Sequence, residues 1–189
     1  MLIRMRWMIP ILSLTLFGLG EVQLPAQSGS GMRPQPSRPA QAEQRQQTPE
    51  EFRRALWTFL ADPQRGYRRW APWPGTEQGK LSQEPHGAFM RVFGNTAVLT
   101  NPKTPPHGSV IVSENYAADR QTVATVTVMY RSQGFDPKNG DWYWIKYYPD
   151  GSVVEMDTAQ GRLAMAGRVS TCIECHGGAK GNDFVFAND

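Results

Sequence analysis

Cysteine and histidine are scarce in this 189-residue chain, which has two of the first and three of the second. Two cysteines cannot build a disulfide-rich scaffold, and three histidines cannot furnish several metal sites. A dense basic stripe is also missing. The 20 Lys+Arg stand against 17 Asp+Glu for a formal charge of +3, and several of the arginines fall in segments expected outside the fold. Nothing here asks for a nucleic-acid partner. No apolar run reaches the roughly 20 residues of a comfortable membrane span. The length holds one domain and excludes most large two-domain enzymes. Within that length, 40% hydrophobic, 11% aromatic and 20% charged residues give the balance of a globular chain.

The N-terminus reads as an address. Arg4 and Arg6 precede an apolar run from Trp7 to about Gly20, the pattern of a secretory signal, with residues 1–26 expected to be removed after Ala26. An uncleaved anchor helix is the alternative. Export to the periplasm, or otherwise out of the cytoplasm, follows from either. Residues 27–47 hold Gln, Ser, Gly, Pro and Arg and almost nothing apolar, so they cannot bury enough surface to offset ordering entropy and are expected to be a disordered linker. The domain is expected over 48–189. It begins with a helix signal in which Thr48 is the N-cap, Pro49 takes the first helical position and Glu51 completes a capping box. Phe52, Leu56, Trp57 and Leu60 then form one apolar face.

From residue 87 onward, short β-branched and aromatic runs alternate with turn signals. Phe89–Phe93, Val110–Val112, Val123–Tyr130, Trp142–Tyr148 and Val153–Met156 are the expected strands. Asp136-Pro137-Lys138-Asn139-Gly140 and Pro149-Asp150-Gly151 are the expected turns. The fold class is therefore mostly β (α+β): an antiparallel sheet with an N-terminal helix and a C-terminal helical segment. The aromatic run Trp142 to Tyr148 is expected to pack on both sides, and a sheet face lining a flat apolar cofactor would use the same residues.

Chemistry concentrates at Cys172-Ile173-Glu174-Cys175-His176. Cys-x-x-Cys-His is the attachment signature of c-type haem. Two thiols one helical turn apart add to the two vinyl groups, and the next residue's imidazole then lies under the iron. Zinc would need four ligands, for which only His86 and His107 remain. A thioredoxin-like Cys-x-x-Cys belongs beside a βαβ pattern, which is missing. A disulfide across two residues would be strained. One covalent haem c per chain, held by Cys172 and Cys175 with His176 as metal ligand, is the expectation.

Four stretches resemble the cytochrome P460 family, which includes the β-sheet cytochromes c′: His86–Phe93, Pro106–Glu114, Gly140–Trp144, and Cys172–His176 followed by Asp183–Phe186. The resemblance spans roughly residues 50 to 189. It implies an exported, mostly antiparallel β protein with five-coordinate haem on a proximal histidine, here His176. Hydroxylamine-oxidising members carry a lysine in this strand that bonds covalently to the haem. Ser113 occupies that place, and the spacing promotes none of Lys103, Lys138 and Lys146 to the role. The resemblance also implies an open or aromatic-capped distal side that admits small neutral gases, for which Phe89, Phe93 and Phe135 are the candidates.

A methionine sixth ligand would make a low-spin electron carrier. Met90 and Met129 read as strand core, Met32 as linker, and Met165 as too close before the motif to reach over the ring. His86 and His107, each after a proline, read as exposed turn residues, and Glu114 as a solvated strand end. Two function classes remain. One is a cytochrome that binds nitric oxide or a similar gas, or passes single electrons. The other is an oxidoreductase acting on hydroxylamine or another nitrogen compound, and the serine favours the first. The redox partner is unidentified and the oligomeric state is open, a homodimer included.

Overall fold

The computed structural model describes residues 47–159, 161–181 and 183–186. The expected signal segment 1–26 and residues 27–46 of the expected linker lie outside them. Helix α1, Pro49–Leu60, starts as the sequence predicts. The Thr48 side chain accepts from the Glu51 amide, and the Glu51 carboxylate accepts from the Thr48 amide, so two otherwise unpaired N–H groups are satisfied at once.

Among the described residues eight strands follow: β1 (Lys80–Leu81), β2 (Phe89–Gly94), β3 (Val110–Tyr116), β4 (Val123–Arg131), β5 (Trp142–Tyr147), β6 (Glu155–Thr158), β7 (Gly161–Ala164) and β8 (Ala166–Gly167). Six form one sheet in the order β1-β2-β3-β4-β5-β8, antiparallel at every pairing, while β6 and β7 make a separate hairpin. Short helices α2 (Thr96–Thr100) and α3 (Ser170–His176) complete the domain. The mostly β, antiparallel class is thus as expected. β3 runs four residues beyond Val112, to Tyr116, and Val153 makes only a bridge to Tyr147 while β6 begins at Glu155. Both expected turns form. At the second, Asp150 accepts from the Ser152 amide and hydroxyl, and Gly151 takes φ 90°; a Cβ there would run into the Trp57 ring of α1.

Because strand side chains alternate, the sheet has two unlike faces. Val110, Val112, Val126, Val128, Tyr143, Ile145 and Tyr147 pack against Leu56 and Leu60 of α1. The other face carries Val92, Ile111, Met129, Trp142 and Trp144 against Val98 of α2, Val169, and Cys172 and Ile173 of α3. The aromatic strand β5 therefore does serve both sides, tyrosines to α1 and tryptophans to α3. Burying each such side chain contributes about 1.5–3 kcal/mol.

Candidate haem site

On α3, Cys172, Cys175 and His176 stand together, both thiols free. With no charge partner strong enough to oppose it, burial pushes the Cys172 thiol up from its ordinary range. The His176 Nδ1 lies 2.7 Å from the Phe184 carbonyl oxygen. A carbonyl only accepts, so Nδ1 carries the proton and Nε2 keeps its lone pair. Burial lowers the His176 pKa and favours that neutral imidazole.

Beside this histidine opens a cleft of about 560 Å3, its mouth included, with Met129, Trp144 and Met165 on its apolar wall. The Trp144 ring lies 4.8 Å from the His176 ring, centroid to centroid, and Phe186 lies at 5.3 Å. Trp144 Nε1 is buried without a hydrogen-bond partner. A flat apolar cofactor fits this setting: two free thiols, one neutral imidazole with an unshared Nε2, an aromatic and thioether wall, and an indole N–H still able to donate.

The same sheet face continues as a polar wall. Register places Ser113 beside Thr127 and Thr127 beside Lys146, so all three share the cleft face. Ser113 Oγ donates to Asn115 Oδ1 at 3.0 Å, and Asn115 Nδ2 donates to the hydroxyls of Thr125 and Thr127 at 3.1 and 3.3 Å. His86 closes the network, with Nδ1 at 3.3 Å from both Asn115 Oδ1 and Thr127 Oγ1. Lys146 Nζ donates to the Pro85 carbonyl at 2.8 Å, tying the His86 loop to β5.

Several expectations are corrected. His86 is no exposed turn residue: it is half-buried, hydrogen-bonded and on the cleft, whereas His107 is exposed with Asp141 at 3.9 Å. Among the described residues, no group of three or more His, Cys, Asp or Glu is placed to hold a bare metal ion. Phe89, Phe93 and Phe135 do not line the cleft. Alternation turns Phe89 and Phe93 away from the Met90 and Val92 side, so Phe89 meets Tyr116 and Phe93 meets Tyr67, while Phe135 packs on Tyr143. Met165, expected out of reach, lines the cleft, and so do Met129 and Lys146. Glu114 is not a solvated strand end. It is 5% exposed on the α1 side and accepts from Tyr67, Tyr116 and Arg68 at 2.8, 2.7 and 3.1 Å. Burial and then this carboxylate push the Tyr116 hydroxyl up to about 12.

The fold and donor set define a mostly β protein built to carry haem of the c type. The chain belongs to the cytochrome P460 family, which matches residues 64–187; it is a haem-binding, iron-containing cytochrome. No curated protein matches the chain.

Proposed function

We propose that this is an exported monohaem cytochrome that passes single electrons, and not a hydroxylamine oxidase. Cys172 and Cys175 would hold the haem covalently and His176 would bind its iron, the haem supplying a one-electron couple. The observation that carries the reading is the side chain at 113. It is a serine on the cleft face whose hydroxyl is given to Asn115, so the amine that tethers haem in the oxidising relatives has no counterpart on that strand. Lys146 also lines the cleft, but its Nζ is engaged with Pro85. The protein's part is to exclude water with Met129, Trp144 and Met165 and to keep the His176 proton on Nδ1. The apolar wall favours a second reading, uptake of a small neutral gas such as nitric oxide. Arg4, Arg6 and the apolar run after them support export.

Mass spectrometry of the haem peptide, paired with hydroxylamine turnover, tests the proposal. The expected result is two thioethers, no third link to any lysine, reversible one-electron reduction and negligible turnover. Steady hydroxylamine oxidation would overturn it.

A further inference from the structure

His86 and His176 face each other with ring centroids 6.1 Å apart and planes inclined by 68°. An imidazole nitrogen sits about 2.0–2.1 Å from a first-row metal and about 1.1 Å from its own ring centre, so two imidazoles sharing one ion have centroids roughly 6.3 Å apart. The spacing suits a shared ion.

Tautomers agree with it. Asn115, 2% exposed, spends its Nδ2 on two threonine hydroxyls, which leaves Oδ1 as the acceptor facing His86. His86 Nδ1 is then the donor, and Nε2 keeps its lone pair. Neither histidine's Nε2 makes a hydrogen bond among the described residues.

The space is right as well. Two clefts meet at this pair. The first is the apolar one of Met129, Trp144 and Met165, and the second is bounded by Lys80, Leu81, Met90 and Phe186. Pro85, His86, Cys175 and His176 line both. A flat macrocycle passing between the two imidazoles would extend into each cleft and remain beside Cys175.

We propose that His86 is the sixth ligand of the haem iron, opposite His176, with Asn115, Thr127 and Lys146 as the positioning residues that hold it there. This deepens the electron-passing reading and rests on it, since a bis-imidazole iron is six-coordinate and low-spin in both oxidation states.

The test uses the secreted full-length protein with its haem. The wild type is expected to be low-spin in the ferric and ferrous states. His86→Ala is expected to turn high-spin, and added imidazole to restore the low-spin spectrum, which a merely structural role would not allow. If the histidine holds the position in about nine molecules of ten, His86→Ala should bind carbon monoxide about tenfold more tightly. His86→Met should stay low-spin, gain a methionine-to-iron charge-transfer band and shift to a more positive potential. A high-spin wild type, a methionine band in the wild type, or a His86→Ala variant that remains low-spin without imidazole would each overturn the inference. The wild-type spin state decides even where a variant fails to fold. The pyridine haemochromogen of the same samples separates the two levels. Haem c with a high-spin iron sinks only the ligation, whereas a wild type without haem c sinks the function from which it was drawn.

Discussion

Ser113 and Glu114 are neighbours in sequence and belong to different halves of the molecule. Glu114 faces α1, where three donors saturate its carboxylate and tyrosines and aliphatic side chains seal the rest. Ser113 faces the cleft, where the polar network ends in a histidine with one nitrogen to spare and an indole N–H with no partner. The α1 side is finished as protein alone. The cleft side leaves the buried Trp144 Nε1 without a partner, a cost of about 1–3 kcal/mol that a bound acceptor would relieve.

Changes on the two sides should therefore separate stability from colour. The largest effect is expected on the cleft side, where Cys172→Ala with Cys175→Ala should release the haem to acid-acetone extraction; retained colour would break the contrast. Next, Leu60→Ala empties a site 1% exposed under the sheet and should cost about 2–5 kcal/mol in denaturant unfolding, leaving the visible spectrum unchanged. Glu114→Gln should cost about 1–3 kcal/mol, again without spectral change, while Ser113→Ala should cost no more than about 1 kcal/mol and yet broaden the visible bands by loosening Asn115 and His86. Smallest is Thr48→Ala, expected to lower stability by about 0.5 kcal/mol, the low end for a lost cap, read as a modest fall in Tm with the spectrum intact.

The helix and the haem motif were legible in the sequence because each is local. Thr48, Pro49 and Glu51 announce α1 within four residues, and Cys172 to His176 announce the cofactor within five. The polar part of the site was not legible, since it is assembled from β3, β4, β5 and the loop before β2 through pairing that leaves no mark at short range. Polar Ser113, Glu114 and Asn115 read as the end of a strand, yet β3 continues because Ser113 and Asn115 bond each other and Glu114 accepts from Tyr67, both in buried surroundings. His86 looked like a turn residue for the same reason: its partners Asn115 and Thr127 lie 29 and 41 positions away. The alternation of Thr125 and Thr127 with Val126 and Val128 was the one available hint that this face was reserved for something polar. The three phenylalanines failed as a cap because strand register, invisible without the structure, decides which way each one points.

The two histidines are carried by separate elements. His176 rides on α3, and His86 is clamped to the sheet by Asn115, Thr127 and the Lys146–Pro85 bond. Their separation is thus a measure of how firmly a seven-residue helix is seated. Short elements of this kind open at lower free energy than the sheet beneath them. Should the haem sit between those rings, heating or pressure would change the protein's colour before the sheet melts, and the pigment would serve as a strain gauge for the docking of its own helix.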